Sequence, residues 1–488
     1  MNNIREKGQM KMGLEIHITI DSLNKVFNLN RNFKDDNESV NDIESWELGY
    51  LGTLPVLNYE VINLAVKFCS FLNMKIDQEV KFDRKIYNYF DLPKGFQITQ
   101  KLYPIGENGV FPVLFNEELI NISISRVQIE EDTAKSSYEK SKVSLDFNRS
   151  GNPLIELVTD PVFDNVDLVL DFVKQIRCVL KYLSISQARM EKGQFRIDLN
   201  FSFKFGDNYQ TPRYEIKNLN SLKNLKNSVE KEFEKHYNIF NENVNNPLFL
   251  KSETLGFNER EQKTFVQRDK VNYFYLPEIN IPKIKISKKE INVIKKNLPN
   301  SPSFIWRKIT ESQKVRNGNL IFENFLILKI LNILENKKIN YYGDFDNLVI
   351  FILNNLVPSL LDFNEEEISS FFKNHLNHIW KIFTYWKDKK ISKSEVNEFI
   401  KDIAYKNDNF YKFQKKINSK FNDKNLMEFE FLKSEINLII KTTNISKKII
   451  SQHNKLLNLL VGVLKIKFPN HLINVQDISN IISDIFKD

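Results

Sequence analysis

Apolar and polar residues alternate in the run GLEIHITI at positions 13–20. A period of two predicts a β-strand, with the leucine and the isoleucines on one face and Glu15, His17 and Thr19 on the other. Glu15 and His17 are therefore expected side by side on that second face. This spacing suits a metal site or an acid/base pair, and a strand edge exposed to solvent gives the same pattern.

A second alternating run, MEKGQFRIDLNFSF at 190–203, places Arg196, Asp198 and Asn200 on one face of another predicted strand. Asp198 thus resembles Glu15, because both carboxylates project from one side of a strand. Apolar residues spaced three and four positions apart predict amphipathic helices elsewhere. The helical stretches are 58–74, with Asn58 as the cap, 164–183, and a helix that begins at about 221.

Glycine and proline are concentrated in the first part of the chain. Of 14 glycines, 11 lie at or before Gly256, and of 14 prolines, 10 lie at or before Pro282. Successive apolar helical stripes follow from about residue 284. The pattern predicts an α+β fold, with a mixed strand and helix domain at 1–283, a helical domain at 284–405 and a helical tail at 406–488.

Carboxylates interrupt apolar, strand-like runs between residues 122 and 161. Glu130 and Glu131 end one run, and Glu156 lies within PLIELV, where branched apolar residues flank it on both sides. Burying even a neutral polar group without a partner costs about 2–7 kcal/mol, so a buried carboxylate needs compensation. Two sources are open: an arginine, either Arg126 or Arg149, or a metal shared with Glu131.

A short strand and turn, KFDRKIYNYFDLPKG at 81–95, combines lysines with tyrosines. Lys85, Tyr87 and Tyr89 alternate on one side, and Lys94 follows a turn that contains proline. These side chains could hold a phosphate and stack on a base. Surface strands also favour tyrosine and lysine, which leaves a purely structural interpretation open.

The composition, with 42% hydrophobic and 27% charged residues, is typical of a globular protein, and the net charge of +8 with a pI near 9.0 favours a polyanionic partner. The stretch between Glu435 and Asp477 has no acidic residue. It is either a contact surface for a phosphate backbone or a solvated helix face. Its lysines are Lys441, Lys447, Lys448, Lys455, Lys465 and Lys467.

Several classes of protein are disfavoured. Only two cysteines occur, so neither a disulfide framework nor a cysteine metal site is expected. No apolar run reaches the roughly 18 residues of a membrane span. The chain also lacks a P-loop and a Rossmann glycine turn, so a bound nucleotide is not expected to be held by either. Too little chain precedes residue 13 for an ordinary presequence, which favours bacterial cytoplasm over the mitochondrial matrix.

Many runs occur in an order that resembles the B subunit of the glutamyl-tRNA(Gln)/aspartyl-tRNA(Asn) amidotransferase. The resemblance is continuous from Gly13 to about Pro282 and resumes at Leu457 to Gly462. The runs are GLEIH, GTLPVLN, FDRK-x-Y-x-Y-x-DLPKG, PIGENG, EED-x-x-K, NR-x-G-x-PLIE, IKNLNS, the segment from Arg268 to Glu278, and LNLLVG.

The resemblance implies a kinase and transamidase subunit. Such a protein binds a misacylated tRNA(Gln) or tRNA(Asn), phosphorylates the side-chain carboxylate of the attached amino acid with ATP and Mg2+, and directs ammonia from a partner amidase A subunit. A small third subunit is also expected. The fold implied is a cradle domain with the ATP and acceptor-end site, a helical domain and a tRNA-binding tail.

The resemblance also assigns roles. Glu15, His17, Glu131 and Glu156 are the expected metal ligands, with Glu130 and Asp198 as further candidates. The same four residues, with Lys85, form the expected catalytic set. The residues expected at the phosphates, the nucleotide or the terminal adenosine are Lys85, Tyr87, Tyr89, Lys94 and Asp198.

Departures from the family keep other functions open. Many members have a zinc site built by two cysteine pairs, but 27–52 contains no cysteine here, so zinc is not expected. Where members commonly have DYRYFPEPD, this chain has NYFYLPEIN. A tRNA-binding subunit that has lost catalysis is therefore the alternative, and a metal-dependent phosphoester hydrolase is a third hypothesis.

Overall fold

The computed structural model describes residues 8–32, 43–139, 142–206, 209–242, 251–258, 261–269, 273–312, 314–406, 429–442, 453–468 and 475–485. The chain forms two compact units, residues 1–345 and residues 346–488. The first unit combines sheets and helices and the second is helical over the described residues, so the expected α+β class is confirmed.

The strands all precede residue 286 in the described part of the chain. They are β1 (Gln9–Thr19), β2 (Lys75–Ile76), β3 (Glu79–Val80), β4 (Asp83–Ile86), β5 (Phe96–Thr99), β6 (Gly106–Phe115), β7 (Glu118–Glu131), β8 (Lys135–Glu139), β9 (Lys142–Asp146), β10 (Pro153–Thr159), β11 (Phe195–Phe205), β12 (Tyr209–Gln210), β13 (Tyr214–Leu219), β14 (Glu253–Asn258), β15 (Lys263–Asp269), β16 (Phe274–Pro277) and β17 (Ile284–Lys285).

Seven helices lie within the described residues of the first unit. They are α1 (Tyr59–Phe71), α2 (Val166–Tyr182), α3 (Leu222–Glu242), α4 (Lys288–Lys296), α5 (Pro302–Thr310), α6 (Asn319–Glu323) and α7 (Phe325–Asn336). The helices from Phe345 onward are α8 (Phe345–Phe351), α9 (Val357–Ser359), α10 (Glu365–Lys387), α11 (Lys393–Lys406), α12 (Phe429–Thr442), α13 (His453–Lys467) and α14 (Val475–Ile485), with a π-helical turn at Ile352–Leu356.

Ten strands of the described chain form one large sheet, in the order β15-β14-β13-β11-β1-β10-β7-β6-β2, with β12 paired to β11. β1 lies centrally, antiparallel to both β10 and β11. The alternation predicted for β1 is confirmed, because Leu14, Ile16 and Ile18 are buried on one face while Glu15 and His17 are only half-buried on the other.

Helices α1, α2 and α3 cover the apolar face of the large sheet. Phe172 of α2 is fully buried and packs edge-on against Phe111 and Phe163, and Phe203 of β11 packs in the same way against Phe233 of α3. Burying each ring contributes about 1.5–3 kcal/mol. This core fixes which way each strand faces, and so which residues reach the polar face.

The start of α1 confirms the predicted cap. The Asn58 side chain accepts a hydrogen bond from the backbone N–H of Glu60, which satisfies a donor in the first helical turn. The helix ends at Phe71 instead of Met74, because Asn73 adopts a positive φ of 54° that turns the chain toward β2.

A second, smaller sheet in the order β16-β4-β5 lies against β7. The Gln97 side chain of β5 donates to the Glu131 carbonyl at 2.7 Å, and the N–H of Ile129 donates to the Gln100 side chain at 2.9 Å. The small sheet therefore forms a wall beside β7, and we call the space between this wall and the polar face of the large sheet the cleft.

The first compact unit extends to Phe345, beyond the expected domain boundary at residue 283. The expected boundary at 405 lies next to 407–428, which are outside the described residues. The three-domain division stays a prediction. Within 346–488, helices α12, α13 and α14 share one apolar core, made by Leu432, Ile436, Ile439, Leu456, Leu460, Leu464, Ile478, Ile481 and Ile482.

Candidate functional site

The polar face of the large sheet carries the candidate site. β1 presents Glu15 and His17 there, and its neighbours supply the residues opposite them. Glu156 of β10 is paired with His17, and Asp198 of β11 is paired with Glu15. Directly paired residues of antiparallel strands point to the same side of a sheet. Three strands thus bring four predicted site residues onto one surface.

Glu15, His17 and Glu156 form the tightest group. Each offers one ligand atom, and these atoms all lie within 4.8 Å of one another. The His17 Nε2 atom is 3.8 Å from Glu156 Oε2 and 3.9 Å from Glu130 Oε2. Two carboxylates and an imidazole are a donor set that fits a divalent cation, with Glu130 close enough to contribute.

Glu131 is not brought into this group. Its carboxylate accepts hydrogen bonds from Lys94 Nζ at 2.6 Å and from the backbone N–H of Ile98 at 2.8 Å, and the Lys94 ammonium lies 4.7 Å from the centre of the Trp46 ring. Successive residues of a strand point to opposite faces, so only one of Glu130 and Glu131 can face the cleft. The structure places Glu130 there, and it pairs the predicted phosphate ligand Lys94 with Glu131.

The buried Glu156 has protein partners, one of them among the arginines that the sequence suggested. Gln128 Nε2 donates to Glu156 Oε2 at 2.9 Å, and a terminal nitrogen of Arg126 is 3.6 Å from Oε1. Arg149 instead faces Asp132, at 3.6 Å. Arg126 therefore compensates only part of the charge.

The pKa of Glu156 is raised well above its usual value. Burial is the main cause, and the charges of Glu15 and Glu130 add to it, while Arg126 and Lys85 oppose it. At Glu156 the neighbouring cations do not offset burial and the repulsion from the other two carboxylates. An additional cation would stabilise these carboxylates.

Glu130 behaves differently although it is equally buried. Burial would raise its pKa, but the charges of Lys85 and His17 and hydrogen bonds from Thr99 and Gln128 outweigh burial, and the net shift is downward. The Gln128 amide donates to Glu130 Oε1 at 2.8 Å as well as to Glu156. Gln128 thus holds the two carboxylates in a fixed relation.

Lys85 extends from the small sheet toward this cluster. Its ammonium lies 4.5 Å from the centre of the Tyr273 ring and 5.7 Å from that of Tyr87. Tyr275, paired with Lys85 across the sheet, has its pKa raised by burial and by the charges of Glu130 and two other cluster carboxylates. The predicted residue Tyr89 is 47% exposed and stacks on Phe90 at the surface.

Asp198, the fourth residue of the paired set, has its own cation. Lys217 Nζ of β13 lies 2.8 Å from Asp198 Oδ2 and 3.0 Å from Glu215 Oε1, and these charges outweigh burial and raise the pKa of Lys217. Sequence reasoning missed this pairing, since the partner lies on another strand. Lys217 belongs to the IKNLNS run. The pairing could have been found only by predicting that β13 lies next to β11.

Asp132 organises the neighbouring side of the floor, which the sequence did not indicate. Its Oδ2 atom lies 3.0 Å from a terminal nitrogen of Arg196, the residue paired with His17, and 3.6 Å from Arg149 Nε. Burial would raise the pKa of Asp132, but the two arginines outweigh it and lower the pKa. Asp132 therefore orients Arg196 beside His17.

Part of the predicted tRNA-binding lysine run can be located. Lys455 is exposed on α13, and Lys467 is paired with Glu435 of α12 at 2.7 Å. Lys447 and Lys448 lie outside the described residues, and the side chains of Lys441 and Lys465 are outside the description as well.

Across the described helices, no segment is both long and apolar enough to cross a membrane.

The large sheet and the wall beside it bring clustered carboxylates and facing cations together in an α+β domain. Residues 10–292 match the model of the GatB/GatE catalytic domain, which is more than half of the chain. On this match and the relatives that follow, the chain belongs to the GatB family.

The chain is similar to proteins named as the B subunit of aspartyl/glutamyl-tRNA(Asn/Gln) amidotransferase. It is 35% identical to that of Mycoplasma mobile over 91% of this chain and 84% of the relative, and 34% identical to that of Mycoplasmopsis synoviae over 93% of both. It is 38% identical to that of Mycoplasmopsis pulmonis, a match spanning 63% of this chain and 64% of the relative, which is just under two thirds of its length.

Proposed function

We propose that this chain activates the side-chain carboxylate of glutamate or aspartate attached to tRNA, using ATP, and presents it to ammonia. The observation that carries the proposal is the carboxylate cluster of Glu15, Glu130 and Glu156 beside His17, with Lys85 on the facing wall. Burial and repulsion within this cluster raise the pKa of Glu156. A cation-binding floor with a basic wall suits the transfer of a phosphoryl group.

The chemistry proceeds in two balanced steps. An oxygen of the substrate carboxylate attacks the γ-phosphorus of ATP, the bond from that phosphorus to the bridging oxygen breaks, and ADP leaves. Ammonia then attacks the carbonyl carbon of the acyl phosphate, the bond from carbon to the phosphate oxygen breaks, and inorganic phosphate and a proton are released. Oxide is a poor leaving group, whereas phosphate is a good one.

In this proposal Glu15, His17 and Glu156 hold Mg2+, with Glu130 beside them. The ion would neutralise phosphate charge and orient the nucleotide when bound. Lys85 contributes a positive charge from the wall, and Tyr87 lines the nucleotide or the terminal adenosine. Lys94 and Glu131 neutralise each other, so Glu131 is not assigned to the metal and Lys94 is not assigned to the phosphates.

The relatives are named as subunits, which supports a multi-subunit complex. We propose an amidase A subunit that supplies ammonia, and a small third subunit, as the partners. Glu-tRNA(Gln), Asp-tRNA(Asn) or both are the proposed substrates, and the tail lysines, including the exposed Lys455, are proposed to contact tRNA phosphates. We place this reaction in the bacterial cytoplasm, with the mitochondrial matrix as the alternative.

The test is a reconstituted reaction containing the partner subunits, ATP, Mg2+, glutamine and either Glu-tRNA(Gln) or Asp-tRNA(Asn). The proposal requires stoichiometric ADP and amidated aminoacyl-tRNA. Tight tRNA binding without ADP would instead identify the non-catalytic subunit, and ATP or RNA cleavage without amide formation would identify a hydrolase. Both outcomes contradict the proposal.

A matched pair of variants separates the metal ligand from its neighbour. Glu156→Gln should lower amidation by about 10²–10³-fold while tRNA affinity is retained. Glu131→Gln removes a carboxylate that is occupied by Lys94, so it should leave the affinity for Mg2+ unchanged. An equal loss of Mg2+ affinity in both variants would contradict this assignment of ligands.

A further inference from the structure

Arg126 stands on the floor of the cleft at the edge of the carboxylate cluster. It pairs with Val158 across β7 and β10, two positions from the pair formed by Gln128 and Glu156, so its side chain points to the same face. Its Nε atom donates to Gln128 Oε1 at 3.2 Å, and a terminal nitrogen lies 3.6 Å from Glu156. The second contact is longer than a direct hydrogen bond.

A guanidinium carries five N–H donors, and the two contacts of Arg126 engage only part of that set. The side chain is 22% exposed, so part of it remains accessible to a ligand. The planar fork of a guanidinium matches two oxygens of a phosphate group at once. Arg126 therefore has the geometry of a ligand-binding residue as well as that of an ion-pair partner.

Lys101 approaches the same place from the wall. The chain is anchored on both sides of it, because the Gln100 side chain accepts from Ile129 N–H of β7 at 2.9 Å and the N–H of Leu102 donates to Asp83 at 2.7 Å. The backbone at Lys101 is thereby fixed two residues beyond β5, the strand that lies against β7.

Lys101 and Arg126 repel each other. Partial burial and the charge of Arg126 lower the pKa of Lys101, while the charges of Glu156, Glu15 and Glu130 raise it. The charge of Arg126 thus acts on Lys101, and an anionic phosphate placed near both cations would reduce their repulsion.

We propose that Arg126 and Lys101 together bind the γ-phosphate of the nucleotide and remain in contact with it while it is transferred. This inference rests on the proposed function. Arg126 binds two phosphate oxygens, Lys101 neutralises charge as the bond to the bridging oxygen of ADP breaks, and neither residue forms a covalent bond.

The test uses the reconstituted complex and measures ADP formation that depends on misacylated tRNA. Arg126→Ala should lower kcat/KM for ATP by about 10²–10³-fold, the effect of removing one preorganised donor to a transition state. Arg126→Lys keeps the charge without the fork and should recover only part of that loss. Lys101→Met should cost about tenfold, since a point charge is lost without a bidentate contact.

A binding measurement distinguishes phosphate contact from a general structural role. Arg126→Ala should weaken binding of a non-hydrolysable ATP analogue and leave adenosine binding unchanged, because Arg126 contacts the phosphates of the nucleotide and not its nucleoside. The affinity for tRNA should stay within about twofold of the wild type. Equal weakening of adenosine and the analogue would overturn the inference.

Two control variants lie outside the cleft machinery. Lys81 pairs with Glu79 at 3.2 Å and Arg213 donates to Asn200 at 2.9 Å, so Lys81→Met and Arg213→Ala should leave kcat/KM for ATP unchanged. A fall in these controls as large as that in Arg126→Ala would contradict the role. If Arg126→Ala proves unstable, Arg126→Gln, which can still bond Gln128, replaces it in the same assays.

Failure of this inference is distinguishable from failure of the proposed function. If the wild-type complex forms ADP and Arg126→Ala does so equally well, only the assignment of Arg126 is wrong. If the wild-type complex forms no ADP, the proposed function is wrong. Binding of the ATP analogue then tests the phosphate site by itself. An unchanged affinity of Arg126→Ala for the analogue would show that Arg126 does not bind the phosphate.

Discussion

Buried charge in the first compact unit is arranged in two contrasting ways. Lys25 and Glu47 are about 1% exposed or less and form one ion pair of 2.7 Å, so each charge faces one of opposite sign. Burial raises the pKa of Glu47, and Lys25 offsets part of that rise. On the cleft floor, Glu15, Glu130 and Glu156 face one another around a single imidazole, and their charges accumulate.

The contrast separates structural charge from functional charge. A pair that cancels needs nothing further, and replacing it by apolar residues of similar size is often neutral. A cluster that accumulates charge is costly in the unliganded protein, and its cost is relieved only when a cation binds. Buried carboxylates therefore indicate a site only when their partners leave charge uncompensated.

The largest expected effect is on the cancelling pair. Lys25→Met leaves Glu47 buried without its cation, and removing one partner of a buried pair lowers the free energy of unfolding by about 3–5 kcal/mol. Denaturant unfolding of the purified chain measures the change. The double variant Lys25→Met/Glu47→Leu should recover most of the loss, and a double variant as unstable as the single one would show that shape, not charge, matters there.

Glu156→Gln should lower activity without lowering stability, in contrast to Lys25→Met. Like-charge repulsion from Glu15 and Glu130 is relieved, so the unliganded protein should be as stable as the wild type or more stable. Amidation should fall by about 10²–10³-fold because a group that organises charge in the reaction is lost. A thermal melt and the reconstituted assay measure the two quantities, and a fall in both would place Glu156 with the structural charges.

The alternation along β1 was enough to predict which face carries Glu15 and His17, because one face must pack against helices. It could not separate Glu130 from Glu131. Both end the same strand, and which of them faces the cleft depends on the register between β7 and β10, in which Glu156 is paired with Gln128. Register is set by the whole sheet and not by the local run.

The cationic side of the site was less predictable for a related reason. Lys85 and Lys94 stand close together in sequence, yet Lys85 faces Glu130 whereas Lys94 is paired with Glu131. Lys101, Lys217 and Tyr275 lie far in sequence from the carboxylates that they accompany. Packing of the small sheet on β7 brings Lys101 and Tyr275 toward the carboxylate cluster, and pairing of β13 with β11 brings Lys217 to Asp198.

Binding of Mg2+ to the cluster of Glu15, Glu130 and Glu156 should stabilise the folded protein by an intermediate amount. A ligand that binds only the folded state adds about 2.7 kcal/mol at a concentration 100 times its Kd, so the melting temperature should rise with Mg2+. Glu156→Gln and His17→Ala should lose this rise. A rise that persists in both variants would show that Mg2+ binds elsewhere.

The smallest effect concerns Glu335, a half-buried carboxylate whose charge is compensated by its neighbours. Lys308 Nζ lies 2.8 Å from Oε2, and the hydroxyls of Tyr341 and Tyr342 donate to Oε1 at 2.9 and 2.7 Å. Burial would raise the pKa of Glu335, but these partners outweigh it and lower the pKa. A lowered pKa means that the charged form favours the folded state.

Glu335→Gln should therefore cost about 1 kcal/mol near neutral pH, since one charged hydrogen bond becomes neutral. The wild type keeps this stability above the unfolded value of about 4.3 and loses it as the pH falls through the lowered pKa of the folded state. Unfolding free energies measured across that range should converge for wild type and variant at low pH, while the exposed control Glu311→Gln follows the wild type throughout. A difference that is constant with pH would show that Glu335 acts through shape, and the contrast between cancelling and accumulating charge would then not extend to it.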